Sequence, residues 1–249
     1  MKKHTEGQKN MERRFAILSG TSCVGKGPLQ SAVKKLYPGL IDARPVLCTS
    51  RGPRDGEKQG DQFYFLPEGF IRSLEKSKDF AVSPVRTDWQ AIFLPQVEEL
   101  LDSNDLVFAE VFYAFGPALM ERVTASSFKS IRIFLTPLPF ETPQDEIIKE
   151  VRGKLDRRGT DSHEKKEDRS EWAPREMAKA SSYTHTLLNP AGEDDIDEWK
   201  CFGTRNNTHG AVNVDTIEDL GANAQWLVKT FVGILKGGVP EGHYERTDA

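Results

Sequence analysis

Apolar residues along this chain gather into short runs that obey two different spacings. "RFAILSG", Arg14 to Gly20, is an apolar run closed by glycine, and "GPLQSAVKKLYPG" after it sets Leu29, Val33 and Leu36 at helical spacing before a Pro-Gly stop. Together they predict strand, loop, helix. "RPVLCTS" (44–50), "DLVFAEVF" (105–112) and "SIRIFLTP" (130–137) are short and rich in Val, Ile or Phe, so each predicts a buried strand. "PQVEELLD" and "TPQDEIIKEVRGKLDRRG" supply helical patterns. Strands alternating with helices predict an α/β fold, a parallel sheet with helices on both faces and ligands at the carboxyl ends of its strands. The loop at Gly20 sits at such an end.

Other segments break this alternation. Residues 51–69, "RGPRDGEKQGDQFYFLPEG", are glycine- and charge-rich around Phe63-Tyr64-Phe65 and predict a β-hairpin inserted as a small lobe. The charge run "DSHEKKEDRSEW" (161–172) reads as a solvated helical face or a mobile loop. Residues 190–211 are turn-rich and fit either a partner surface or an insertion, while "TIEDLGANAQWLVKTFVGILKG" predicts a closing helix.

Composition narrows the partners. With 34 Lys and Arg against 38 Asp and Glu, the formal charge is −4, which argues against a general binder of nucleic acid or anionic membranes. An anion site must be local. The three cysteines, Cys23, Cys48 and Cys201, are unevenly spaced, so neither a disulfide framework nor a zinc site is expected, and a reducing cytoplasm fits them. No apolar run approaches the roughly 18 residues of a membrane span. The expectation is a soluble, cytoplasmic chain with a disordered tail over 1–13, a second tail over 237–249, and an oligomeric state that nothing here sets.

"GTSCVGKGPL", Gly20 to Leu29, has the G-x-x-x-x-G-K spacing of a phosphate-binding loop between a predicted strand and helix. The backbone of Gly20, Ser22, Val24, Gly25, Lys26 and Gly27 would aim N–H groups and the helix dipole at one point, where Lys26 adds charge for β- and γ-phosphate oxygens. The bland alternative is a glycine turn with an exposed lysine. Where the motif has Ser or Thr, this chain has Gly27 and then Pro28. The usual hydroxyl for Mg²⁺ is therefore missing, and water must complete the metal's shell. Pro28 costs a first helical turn little, but it removes one donor to phosphate.

The stretch "CTSRGPRDGEKQGDQFYF", Cys48 to Phe65, resembles the guanylate kinase family at the place where that family holds the acceptor phosphate. Arg51, Pro53, Arg54, Gly56, Glu57, Gly60 and Phe65 match in register. Two arginines three apart present planar donor forks to a dianion; a solvated charged loop is the competing reading. "KLDRRGTDSHEKKEDR" resembles the family's R-L-x-x-R-G-T and following arginine, with Lys154, Arg158 and Arg169 on the basic positions. The resemblance covers about 15–189. It implies the guanylate kinase fold over 14–236: a phosphate-loop core, an acceptor-binding lobe at about 46–93 and a lid at about 156–170. It also implies ATP and Mg²⁺ as cofactors and a nucleoside monophosphate, GMP by default, as acceptor. Lys26, Lys154, Arg158 and Arg169 would then spread positive charge over the transferred group, and Arg51, Arg54, Phe63 and Glu110 would face the acceptor. No protein nucleophile is needed, so His163, His185 and the cysteines are not read as catalytic, and no residue is assigned as a metal ligand.

The departures from the family pattern concentrate at the acceptor. Its phosphate-binding tyrosine falls at Phe63, which has no hydroxyl, and its guanine-reading glutamate falls at Ala81 or Val82. Its Y-Y-G-[ST] becomes Trp89 to Ile92. These positions predict a less polar wall that does not read guanine as the family does. Two functions follow: a nucleoside monophosphate kinase with altered acceptor choice, or an inactive module that holds an acidic or phosphorylated partner in the same cleft.

Overall fold

A computed structural model describes residues 12–54, 56–61, 63–123, 128–202 and 213–246. The chain enters through β1 (Arg14–Gly20), turns at the phosphate-type loop and continues as α1 (Lys26–Leu36). Phe15, Ala16, Ile17 and Leu18 are all fully buried. Successive side chains on a strand point to opposite faces. Ala16 and Leu18 accordingly join one core, and Phe15 and Ile17 the other. A continuous apolar run is what a strand covered on both sides requires.

The next elements form a lobe: β2 (Leu47–Thr49), β3 (Phe63–Phe65), α2 (Glu68–Ser73), β4 (Phe80–Val85) and β5 (Asp88–Phe93). The chain then returns to the core through α3 (Leu94–Ser103), β6 (Leu106–Glu110), α4 (Phe115–Arg122) and β7 (Lys129–Thr136). Two helices, α5 (Gln144–Arg158) and α6 (His163–Ala178), pack together before β8 (His185–Leu188), the short α7 (Ile196–Trp199), α8 (Ala222–Leu235) and β9 (Gly242–Tyr244). The main sheet has the order β6-β1-β7-β8-β9 and is parallel throughout. Parallel order places every strand's carboxyl end on one edge, where the Gly20 loop opens. One face is covered by α1 and α8 through Val33, Leu227 and Phe231, the other by α3 and α4 through Val97 and Leu119. No helix among the described residues is long and apolar enough to cross a membrane.

Two expectations are corrected. Residues 44–50 do not enter the main sheet: only Leu47–Thr49 form a strand, paired with β3 and β5 in a separate sheet of order β3-β2-β5-β4. Pro45 has no N–H for a ladder, and Leu47 is buried where the lobe meets the core. Residues 51–69 are not a hairpin either, because β3 runs parallel to β2, with Leu47 opposite Phe63 and Thr49 opposite Phe65. A hydrophobic run reports burial and leaves the pairing partner open. The lobe's true hairpin is β4–β5, in register from Phe80–Phe93 to Val85–Asp88. Pro84 is tolerated there because β4 is an edge strand.

The charge run 161–172 belongs to α6, whose cap is Ser162, its side chain accepting from the Lys165 N–H. The turn-rich segment is anchored to the core where it is described, through Gly192 and Trp199. Trp199 is fully buried in the main core, and its indole N–H donates to the Gly192 carbonyl at 2.7 Å. The remainder of that segment, 203–211, residues 1–11 of the first expected tail and residues 247–249 of the second lie outside the described residues, whereas Gly242–Tyr244, within the stretch expected as the second tail, pair with β8 as β9.

Candidate active site

The loop after β1 has the backbone its glycines allow. Gly25 has φ 94°, and a Cβ there would lie 2.5 Å from Asn189 Nδ2 and 2.7 Å from the Gly192 carbonyl oxygen. At Gly20, with φ 153°, a Cβ would lie 2.6 Å from the Leu135 carbonyl oxygen. Neither position accepts a side chain. Cys23 adopts φ 59°, and Val24 is buried with its carbonyl held by Asn189 Nδ2 at 2.7 Å. Lys26 turns its Nζ back along the loop and donates to the Gly20 and Thr21 carbonyls, each at 2.8 Å. Burial lowers its pKa below the ordinary lysine value, against the upward pull of Glu110. Gly27 is exposed, with nothing within 4 Å of a Cβ built on it. Pro28, by contrast, is buried in the helix's first turn.

Glu110 stands at the end of β6, next to β1. Its carboxylate accepts from Gln30 Nε2 at 2.5 Å, and Gln30 accepts in turn from Arg44, whose guanidinium lies 4.9 Å from the Phe108 ring centroid. A cavity of about 610 Å³ opens beside this chain of contacts, walled by Arg44, Leu47, Glu57, Phe63, Phe65 and Glu110. Its size suits a small ligand of nucleotide dimensions. The expected wall differs. Ala81, Ala91 and Ile92 are buried, and Val82 and Trp89 pack in the lobe's own small core around Ile71. The β4–β5 ladder turns Val82, Trp89 and Ala91 into the lobe and Ala81 and Ile92 into the core beside Leu47, leaving Pro45, Leu47 and the two phenylalanines as the apolar part of the cavity.

Arg51 forms a bidentate pair with Glu57 at 2.6 and 2.9 Å, and its guanidinium lies 4.8 Å from the Phe63 centroid and 5.5 Å from that of Phe65. Phe63, which lacks a donor, thus serves as a platform for the arginine. Burial alone would raise the Glu57 pKa, but Arg51 and the Arg54 backbone N–H hold it below the usual carboxylate range. Burial, followed by the neighbouring Arg51, lowers the pKa of Arg54, which also lies within electrostatic reach of Arg158 and Asp161.

From the helix pair, Arg158 donates to Glu193 at 3.0 Å and pairs with Asp161, while Arg169 approaches the same Asp161 oxygen at 3.5 Å. Burial pushes the Arg169 guanidinium down to about 10. The Glu193 N–H donates to the Cys23 carbonyl at 3.0 Å, so this cluster is tied to the loop itself. Lys154 is placed differently from its two partners in the motif. It is 1% exposed, and its amine is taken up by the Pro190 carbonyl at 2.5 Å and Glu150 at 3.0 Å.

The chain also brings in a residue that its sequence did not single out. Arg86, at the tip of the β4–β5 hairpin, reaches across to donate to Ser22 Oγ at 3.2 Å and pairs with Glu176 of α6. Its neighbourhood, "PVRTDW", carries no glycine spacing or charge cluster, and only the left-handed φ of 56° marks it. Asn189 and Gln30 were missed as well, being uncharged residues outside any motif. His185 is buried between Thr184 Oγ1 at 2.9 Å and the Val239 carbonyl at 3.3 Å, and His163 is exposed on α6.

A glycine-lined loop with a lysine, at the carboxyl edge of a parallel sheet and ringed by arginines, defines a phosphate-loop α/β protein. The family model described as guanylate kinase matches residues 12–201. Curated relatives include "Guanylate kinase" of Listeria monocytogenes, 30% identical over 174 residues, 70% of this chain and 78% of that protein. Another, of Trichormus variabilis, is 30% identical over 182 residues, 71% of this chain and 82% of its own. The crystal structure of guanylate kinase from Anaplasma phagocytophilum superposes with TM-score 0.54 at 16% identity, covering 91% of this chain and 86% of that one, a likeness of fold. The chain belongs to the guanylate kinase family.

Proposed function

We propose that this protein transfers the γ-phosphoryl group of ATP to a nucleoside monophosphate, with GMP the default acceptor and the base read loosely. The observation that carries the proposal is a linked cluster of positive charge: Arg158 and Arg169 of the helix pair, which serves as the lid, share Asp161, Glu193 ties Arg158 to the loop that carries Lys26, and Arg54 of the lobe lies within electrostatic reach of Arg158. An acceptor phosphate oxygen attacks the γ-phosphorus. The bond to the β,γ-bridging oxygen breaks, and ADP departs with the electron pair. Charge on the transferred group is spread by fixed cations, so no protein nucleophile takes part.

Roles follow from placement. Lys26 serves the donor phosphates, exchanging its two carbonyl partners for phosphate oxygens. Arg51 and Arg54 serve the acceptor phosphate, with Glu57 holding Arg51 ready on its phenylalanine platform. Glu110 orients the acceptor from the end of β6. Lys154 acts as a positioning residue: its amine fixes Pro190, next to the Asn189 that holds Val24 of the loop. When bound with the nucleotide, Mg²⁺ would neutralise phosphate charge, but Gly27 and Pro28 give it no hydroxyl, so this loop does not fit the metal as the family's does. Leu47, Phe63 and Phe65 surround a base without a carboxylate from β4, which favours poor discrimination among bases.

Rates of ADP formation with GMP, AMP, CMP and UMP test the reading. The expected result is turnover with several acceptors and loss of ATP-induced thermal stabilisation in Lys26→Ala. A thousandfold preference for GMP would overturn the relaxed base choice. Absence of turnover with every acceptor would replace the kinase by a binding module.

A further inference from the structure

Arg86 occupies a position that its backbone disfavours. It stands in the two-residue turn between Val85 and Asp88 with φ 56°, a region that glycine or asparagine enters readily and that costs an ordinary residue about 1 kcal/mol. Something beyond the turn must hold an arginine there. Its guanidinium leaves the lobe altogether, donates to Ser22 Oγ of the phosphate loop at 3.2 Å, pairs with Glu176, and lies 5.1 Å from the Phe112 ring centroid. Glu176 is a fully buried acid at the far end of α6, and its second oxygen, Oε2, is buried with no partner among the described residues. Arg86 Nε is likewise buried without one. The guanidinium therefore keeps unused donor capacity next to the loop that cradles phosphate. Its charge is felt at both Lys26 and Arg169.

The same loop is short of one charge-handling group, because Gly27 offers no hydroxyl for Mg²⁺. We propose that Arg86 is a catalytic arginine of this chain, which contacts the β- and γ-phosphates of ATP across Ser22 and supplies, from the acceptor lobe, positive charge that the loop does not recruit through a metal-anchoring side chain. This rests on the phosphoryl-transfer reading above. Glu176 holds the fork beside Ser22 of the loop, and the Phe112 ring lies against the guanidinium. An arginine suits the task because its charge is permanent and its donors are fixed in one plane, whereas a lysine would bring a single point of charge. Because Arg86 is carried by the lobe that also carries Arg51 and Arg54, docking of that lobe and completion of the donor site become one event.

Calorimetric titration of ATP into the full chain, once in Mg²⁺ and once in EDTA, tests the inference apart from turnover. Wild type is expected to bind ATP in EDTA, and Arg86→Ala to weaken that binding at least tenfold, with a smaller loss in Mg²⁺. Arg86→Lys should recover part of the affinity. A merely structural role for the hairpin would weaken both titrations equally and lower the melting temperature. In steady state, Arg86→Ala should reduce kcat by about a hundredfold, the scale of losing one aligned donor to a transition state. Equal losses with and without Mg²⁺, unchanged affinity in EDTA, or a wild type that fails to bind ATP in EDTA would each overturn the proposal. Turnover in wild type with an unaffected Arg86→Ala variant sinks the role of Arg86 and leaves the kinase standing. Tight, Arg86-dependent ATP binding with no turnover does the reverse.

Discussion

The side-chain amide of Asn189, at the end of β8, donates to the carbonyl of Val24 in the phosphate loop at 2.7 Å, joining residues 165 apart in the chain. Its oxygen accepts from Asn223 Nδ2 at 2.7 Å, so one fully buried residue fastens the loop to both the sheet and α8. Asn189→Ala leaves the Val24 carbonyl and the Asn223 amide short of a partner in the interior. The expected cost is about 3 kcal/mol of stability, since each buried orphan costs about 1–3 kcal/mol. Urea unfolding measures it. The variant should also bind ATP more weakly, which separates a clamp on the loop from a purely global effect.

Gly27→Ser tests the metal. The exposed position has nothing within 4 Å of a new Cβ, so the side chain enters without strain and places a hydroxyl where the motif expects one. Mg²⁺-ATP should bind several-fold more tightly, with ATP in EDTA unchanged. Pro28→Thr is the poorer variant, because Pro28 is buried. No gain in a Mg²⁺ titration of Gly27→Ser would remove the link between the missing hydroxyl and metal use.

Arg51→Ala separates acceptor from donor. The variant strips Glu57 of its bidentate partner and Phe63 and Phe65 of the cation over their faces. Its KM for the nucleoside monophosphate should rise at least tenfold while its affinity for ATP stays near that of wild type. A rise in the ATP constant alone would place Arg51 on the donor side.

Cys23 should behave as a buried hydrophobe rather than a nucleophile. Burial, reinforced by Glu193, pushes its thiol up to about 12 from the ordinary 9.0. The unfolded thiol ionises near pH 9 while the folded one keeps its proton, so the folded state binds more protons and stability falls as pH rises from about 9 toward 12. Burial also raises the Cys48 pKa, whereas Cys201 is exposed. In a thiol titration of the native protein at pH 8, Cys201 should react at once and the other two only after denaturation. Replacing Cys23 by alanine should flatten the alkaline arm of the stability curve.

The elements that hydrophobic spacing described well are those whose signal is local. β1, the glycine loop, α1, β6, β7 and α5 each carry their own period, stop or glycine within a few consecutive residues, and each forms where that pattern placed it. The glycine of the loop belongs to this class, because left-handed backbone at Gly25 is open to that residue; the crowding that bars a Cβ there comes from Asn189 and Gly192, far along the chain. What came only with tertiary structure is the choice of partner. Leu47–Thr49 is apolar enough for either sheet, and only its ladders to β3 and β5 place it in the lobe. Trp199, in a stretch that read as turns, is buried because its indole finds the Gly192 carbonyl under the loop. Lys154 carries the charge of its motif but spends it on Pro190 and Glu150, and Arg86 carries no motif yet reaches the loop. Period and residue type determine whether a segment can be buried; a hydrogen bond or ion pair between distant residues depends on the whole chain's packing, which no local window contains.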